Sequence, residues 1–347
     1  MATVKSDSRQ LSLDAPAALD PVFLILDGNN LAWAGYYALE RAMKPEDDER
    51  RLRVASLGLA SMVLGAIARS GEPPGSPPRA HPSRVALCFD EGRPLRRREI
   101  YPQYQASRDA DAKFTGNEPI ILQAIQAFID AAVVLPIEVL RGTNVEADDL
   151  AAGLVHAADS APARIVSTDR DFLQLVSAST TIYAPVKKVV IDESNFFELA
   201  APKTSAGDPV TFPRERFLDY RVLTGDASDN IPGVPGIGPL SAARLLALKP
   251  LDAHLGEPAG VREALGRRSD TVERAFADGT AAAIVERNRA LMDLRRPAPC
   301  WSQLDELTVR GRWDRAAFTA WFEEQRISAV DRSLLFERLE ALAAATG

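Results

Sequence analysis

Nine carboxylates fall where neither a core nor an ordinary helix needs them: Asp27 in LDGNN, Asp90 in CFDEG, Glu146, Asp148 and Asp149 in VEADDL, Asp169 and Asp171 in STDRDF, and Asp226 and Asp229 in GDASDN. Taken singly, each has an ordinary use. Asp27 beside Gly28 suits a turn, the acids of VEADDL suit a helix N-terminus, and Asp226 and Asp229 suit a cap. Together they are harder to dismiss, because close like charges raise one another's pKa unless cations compensate. With two cysteines and three histidines in the chain, the donors on offer are hard oxygens. These suit Mg²⁺ or Mn²⁺ and disfavour zinc. Two such ions about 4 Å apart form the clamp of phosphodiester hydrolysis, one activating water and the other holding the leaving oxygen.

The balance of charge bears on that chemistry. The 347 residues carry a net charge of −7, which by itself argues against a polyanionic partner. Setting the nine acids aside leaves +2 on the rest. The basic residues are concentrated: Arg93, Arg96, Arg97 and Arg98 follow Asp90, and Tyr101, Tyr104 and Arg108 follow them in REIYPQYQASRD. A charge run is usually a solvated face. Arginine interleaved with tyrosine just past a ligand-bearing strand also fits a channel that grips phosphates and stacks bases.

The elements that position these groups are legible in the apolar pattern. VFLIL (22–26), VALCF (85–89) and the run 163–166 are continuous rather than alternating, as strands buried on both faces of a parallel sheet are. Each ends at or just before an aspartate. Helical patterns at 52–69, 119–132 and 146–157 alternate with them, which predicts an open α/β sheet with its site beyond the carboxyl ends of the strands. Residues 70–83, SGEPPGSPPRAHPS, read as a flexible proline-rich excursion, 186–192 as a short hairpin arm, and 201–213 as a loop.

In TGDASDNIPGVPGIGPLSAARLL (224–246), GVPGIG supplies glycines for a tight turn or a close approach. Pro239 suits the first turn of a following helix whose amides can hold an anion. A helix ending near Thr224, the turn and a helix from Pro239 make a helix-hairpin-helix, which holds DNA backbone without reading sequence. GxG alone is weak; the joint pattern GDxSDNxPGVxGIG is strong.

On these residues the chain resembles the 5′-nuclease superfamily: the 5′→3′ exonuclease domain of bacterial DNA polymerase I, phage 5′ exonucleases and, more distantly, flap endonucleases. The resemblance runs from about Phe23 to about Leu294 and is carried by LDGNNLAW, CFDEG, YPQYQASRD, VEADDLAA, STDRDFLQLV and YRVLTGDASDNIPGVPGIG. It implies a PIN-like α/β domain with a mostly parallel sheet plus a helix-three-turn-helix DNA clamp. It implies that all nine acids are metal ligands, those from Asp27 through Asp149 mainly for one Mg²⁺ or Mn²⁺ and the last four mainly for a second, with Asp149 a candidate outer ligand. Arg108, Arg97 and Asp169 become the expected catalytic residues. Arg96, Arg97, Tyr104, Arg108, Gly233, Gly236, Gly238 and Ser241 become the expected DNA contacts, with K⁺ a candidate at the clamp turn and residues 96–132 forming an arch for a 5′ single strand. The departures are Ala34 and Gln105, where an arginine and a lysine are usual, and the lack of a basic residue near Pro239 or Leu240.

The expected organisation is a flexible tail (1–20), a nuclease core (21–215), the DNA-binding domain (216–300) and a helical segment (301–347) whose Trp301, Trp313, Trp321 and Phe322 pack on the core. About a hundred residues after the clamp are too few for a polymerase. The expected partner is DNA with a 5′ end or flap, with no membrane, a monomeric state, and a cytoplasmic location, nucleoid-associated in a bacterium. A junction-binding protein with little turnover is the competing reading, motivated by Ala34 and Gln105. A PIN-type ribonuclease is a third, set apart by the clamp.

Overall fold

The computed structural model describes residues 19–75, 77–257, 259–265 and 270–346. The expected tail therefore lies, but for its last two residues, outside the described residues.

Why the apolar runs are continuous is plain in the first strand, β1 (Asp20–Asp27). Phe23 and Ile25 enter one core cluster, while Val22, Leu24 and Leu26 enter another on the opposite face. Leu24, Ile25 and Leu26 are wholly buried, each contributing about 2 kcal/mol of burial. β1 is the middle of a seven-stranded sheet of order β6-β5-β4-β1-β2-β3-β9. β2 is Ala80–Cys88, β3 Glu138–Leu140, β4 Ala163–Val166, β5 Thr180–Ala184, β6 Val189–Ile191 and β9 Thr308–Arg310. The pairs from β5 to β3 are parallel; the outer strands β6 and β9 are antiparallel.

One face is covered by α1 (Gly28–Met43), α2 (Asp48–Ala68) and α5 (Ala112–Ala132), the other by α6 (Ala147–Ala157) and the clamp helices. Among the described residues, α2 is the one helix long and apolar enough to cross a membrane, and it packs instead on α1, α5 and the last helix. Within 96–132 lie α3 (Leu95–Ile100), α4 (Ala106–Ala110) and α5, which begins seven residues before the expected start. The Asp111 carboxylate caps α5 by accepting from the amides of Lys113 and Phe114, and Pro119 lies inside the helix.

After β6 and α7 (Phe196–Ala200), α8 (Phe217–Thr224) leads into a two-residue ladder, β7 (Gly225–Asp226) with β8 (Ile231–Pro232). Gly225 has φ +71°, and a Cβ there would sit 2.3 Å from the Ile231 carbonyl oxygen. Only glycine allows this hairpin, whose tip carries Asp226 and Asp229. Gly238 caps α9 (Pro239–Leu248), with proline in its first turn. Then come α10 (Leu251–Gly256), α11 (Ala259–Leu265), α12 (Asp270–Ala277) and α13 (Thr280–Met292). Buried Asn288 of α13 donates to the carbonyls of Val222 and Pro232, at 2.9 and 3.0 Å, tying the hairpin to the helices.

Two expectations are corrected. The proline-rich excursion is a built connection: Ser70 is buried and its Oγ donates to the Ala80 carbonyl at 2.8 Å, while β2 starts within the same stretch. Residues 301–347 are not only helical. They supply β9 before α14 (Arg315–Gln325) and α15 (Arg332–Thr346), because the chain returns from the clamp to pair with the open edge of β3.

Candidate active site

The strand order reverses at β1, whose successor β2 lies on one side and β4 on the other, and a crevice opens there at the carboxyl ends. Asp27 ends β1, Asp90 lies two residues past β2, and Asp169 three past β4. The cleft between them has a volume of about 300 Å³ and is lined by six carboxylates: Asp27, Asp90, Glu146, Asp148, Asp169 and Asp229. Arg108 is the one cation among the described residues lining it. A larger cavity of about 620 Å³ opens beside Ile137, Glu138 and Trp313. It holds none of the nine acids, so size does not choose the site.

Hydrogen bonds fix the acids in place. The Asp27 carboxylate accepts from the Asn30 amide at 3.2 Å and the Ser167 hydroxyl at 2.8 Å. Ser167 Oγ in turn accepts from the Asp169 amide, and Asp169 accepts from the Asp171 amide at 2.8 Å. Asp90 accepts from the Ala147 amide at 2.7 Å, anchoring the start of α6. Asn29 and Asn30 hold the neighbouring strand ends, the first accepting from the Asp90 amide and the second from Thr168. Asn29, Asn30 and Ser167 are not among the residues expected from the sequence, although they stand beside the acids in DGNN and STD.

The remaining acids are gathered by arginines. Arg97 is 4% exposed; its guanidinium donates to Glu146, and to Asp148 and Asp149 at 3.1 Å each. Arg221 donates to Asp171 at 2.7 Å and to Asp226. Arg108 meets Asp229 at 2.5 Å, and Gln105 Nε2 donates to the same oxygen at 3.2 Å. The bonds thus gather the acids into adjoining groups: Asp27, Asp169, Asp171 and Asp226 through Ser167 and Arg221, and Glu146, Asp148 and Asp149 on Arg97, with Asp90 and Asp229 beside them in the cleft. Oxygens of Glu146, Asp148 and Asp149 lie within 4.8 Å of one another, close enough to share an ion.

This corrects the expected roles of Arg97 and Tyr104 as DNA contacts. Arg97 is enclosed by three carboxylates, and Tyr104 is buried with its hydroxyl donating to Glu146 at 3.1 Å. Burial acts against the Arg97 charge, yet Asp148 and Asp149 more than offset it and hold the guanidinium protonated. Arg221 was not singled out from the sequence; its place five residues before Asp226 in YRVLTGD was the available signal. The exposed faces belong to others. Arg96 is half exposed, 4.0 Å from Asp149, and Gly236, at φ +80°, and Gly238 are exposed at the clamp turn. Gly233 backs onto the Leu223 carbonyl, and Ser241 lies half-buried in the first turn of α9.

Burial is the first cause of the site's perturbed acidity, ahead of mutual repulsion. It raises Asp27 to about 7, with Asp90 adding to the effect, and Asp90 to about 6. Burial also raises Asp149 and Asp171 to about 6, Asp169 well above its usual value, and Asp229. Asp226 goes the other way. Burial works to raise it, but the Ser228 hydroxyl and Arg221 outweigh that and lower it. Such a set of buried oxygens with one facing cation fits a hard divalent ion.

An aromatic wall borders the acids. Trp33 stacks on Phe114 with ring centroids 4.6 Å apart and lies 5.7 Å from Tyr37, and all three line the cleft. Their spacing, Trp33 and Tyr37 one turn apart on α1, was visible in the sequence, but Phe114 comes to them only through the packing of α5.

Residues 22–200 match the family described as 5′-3′ exonuclease, N-terminal resolvase-like domain, and residues 212–315 match 5′-3′ exonuclease, C-terminal SAM fold. The chain belongs to the 5′-3′ exonuclease family. It is 31% identical over 329 residues to DNA polymerase I of Mycobacterium tuberculosis, covering 92% of this chain and 32% of that one. It is 32% identical over 226 residues to the thermostable DNA polymerase I of Thermus filiformis, covering 65% and 23%. The chain thus spans about a third or less of the length of these curated relatives. Its fold is similar to the D15 protein of bacteriophage T5 crystallised with metal ions (TM-score 0.57, 16% identity, 94% of this chain and all of that one). A form of the T5 5′-exonuclease with bound zinc gives a TM-score of 0.56, at 16% identity and the same coverage.

Proposed function

We propose that this 5′-3′ exonuclease family member is a divalent-cation-dependent, structure-specific 5′ nuclease that hydrolyses DNA phosphodiesters near a 5′ end or flap junction. The observation that carries the reading is the cleft itself: six carboxylates face one guanidinium, so a phosphodiester enters only if cations enter with it. Asp27, Asp90, Glu146, Asp148 and Asp149 would hold one Mg²⁺ or Mn²⁺, and Asp169, Asp171, Asp226 and Asp229 a second. When bound, such ions supply charge neutralisation at the phosphate and activation of a water. T5 nuclease forms solved with metal ions, and one with DNA and metal ions, support the analogy.

The chain's own residues supply the rest. Arg108 sits at the wall with Asp229 and is placed to meet charge developing on the phosphate, a contribution of several kcal/mol in such sites. Gln105, neutral where a lysine is usual, keeps its amide on Asp229 rather than adding a second cation. Trp33 and Phe114 offer a face for the bases next to the cut. The amides around Gly233, Gly236, Gly238 and Ser241 would hold duplex backbone, with K⁺ at the turn carbonyls, and Arg96 would meet a strand passing the opening. Arg97 acts as the internal counter-charge of the acid triplet. A reducing, cytoplasmic setting fits two buried thiols, Cys88 and Cys300, and a monomeric state belongs to the same proposal.

The second reading, a junction binder with little turnover, is favoured by that single facing cation. A 5′-labelled flap incubated with Mg²⁺ or Mn²⁺ separates the two. Cleavage by the wild-type chain that disappears in Asp169→Asn with Asp171→Asn establishes the nuclease. An intact flap, under conditions where Ala34→Arg with Gln105→Lys cuts it, establishes the binder.

A further inference from the structure

The segment that returns from the clamp does more than close the sheet. Its 3-10 turn, Pro299–Gln303, packs on α6, and the indole Nε1 of Trp301 donates to the Asp149 carbonyl oxygen at 2.8 Å. A helical carbonyl has a second lone pair to give, so this bond adds to the helix without breaking it. The ring then runs along one stripe of α6. It lies against Gly153, where a Cβ would come within 2.7 Å of the indole Cδ1, and stacks on His156 with centroids 5.0 Å apart. Positions 149, 153 and 156 share a helix face, so Trp301 touches α6 along a single stripe, opposite its packing on β1 and β2.

That helix carries Asp148 and Asp149, with Glu146 at its N-cap, whose carboxylate makes no capping bond and turns instead to Arg97 and Tyr104. A carboxylate oxygen stands about 6 Å from a helix axis, so a rotation of about 10° displaces it by about 1 Å. Metal–ligand distances tolerate about 0.2 Å. A small rotation is therefore enough to spoil this half of the assembly.

We propose that Trp301 is a positioning residue for the Glu146–Asp148–Asp149 half of the acid site, acting through its indole bond to Asp149 and its contact with Gly153. The inference rests on the divalent-ion reading above. It assigns to a residue from beyond the clamp the task of holding ligands in the nuclease core.

The test is Mn²⁺ binding to the full chain without DNA, counted from free Mn²⁺ by electron paramagnetic resonance, with thermal unfolding measured alongside. Trp301→Phe keeps a ring and removes the donor; Gly153→Ala pushes the ring away from the other side. Each is expected to weaken one of two Mn²⁺ sites by three- to tenfold, the range of a single net hydrogen bond, and to leave the other site unchanged. In an Asp148→Asn background, Trp301→Phe is expected to cause no further loss, as coupling through one site requires. Unchanged Mn²⁺ affinity in both variants, or equal weakening of both sites in step with a falling Tm, overturns the proposal. A wild-type chain that binds no Mn²⁺ overturns the divalent-ion reading and this inference together.

Discussion

Asp27→Asn should make the metal-free protein more stable, and by an amount that depends on pH. Burial first, and Asp90 next, raise the Asp27 carboxyl from 3.8 to about 7. Between those values the unfolded chain has released the proton that the folded chain still holds, so stability falls as pH rises. A shift of about 3 units corresponds to about 4 kcal/mol, fully expressed above pH 7; at pH 5 only about 1.5 kcal/mol is expressed. An asparagine keeps the shape, can accept from the Asn30 amide and can donate to Ser167, so most of the charge cost is removed without a compensating loss. The expected gain in chelator at pH 8 is about 2–4 kcal/mol, which raises Tm by roughly 3–5 °C in a chain of this size. At pH 5 the gain shrinks to about 1 kcal/mol, and Mg²⁺ added at pH 8 should stabilise the wild type more than the variant. Calorimetric unfolding at pH 5, 6.5 and 8, with chelator and with Mg²⁺, reads all of this. No gain at pH 8 in chelator, or the same gain at every pH, would refute the claim that a buried, charge-strained carboxylate sits at the end of β1.

Three further outcomes are expected. Arg108→Ala removes the cation facing the cleft and should lower the single-turnover rate of flap cleavage by about a hundredfold with little change in flap affinity, whereas Gln105→Lys should raise that rate; an equal loss of affinity and rate in Arg108→Ala would place it in binding instead. Because burial raises Asp90 to about 6 and Asp27 to about 7, divalent-ion affinity should fall steeply as pH drops from 7.5 to 5.5, with proton release in the calorimeter increasing in buffers near pH 6. Asn288→Ala takes a donor from the Val222 carbonyl and one of two from the Pro232 carbonyl, which keeps Arg287; it should cost about 1–2 kcal/mol in urea unfolding and weaken duplex binding while Mn²⁺ affinity at the core stays close to wild type.

The chemistry was written in residue types and spacing. Three continuous apolar runs ending at or near aspartates announced a parallel sheet and its active edge, because a strand buried on both faces has no polar side to alternate. The glycines of GVPGIG and the proline at 239 announced a turn and a helix start, whereas the hairpin that needs Gly225 emerged only in the fold. What the sequence could not express were contacts between segments far apart along the chain. Arg97 read as part of an exposed basic run, yet packing turns it inward against three acids that lie some fifty residues later. Tyr104 went the same way. Trp301 read as generic packing, and only the return of the chain from the clamp sets its indole on α6, about 150 residues from Asp149 in sequence. Residue type and local periodicity determined which groups do chemistry and which edge collects them. Tertiary structure decided which arginines neutralise acids and which face a substrate, because burial and partner charges belong to the folded neighbourhood and not to the local sequence.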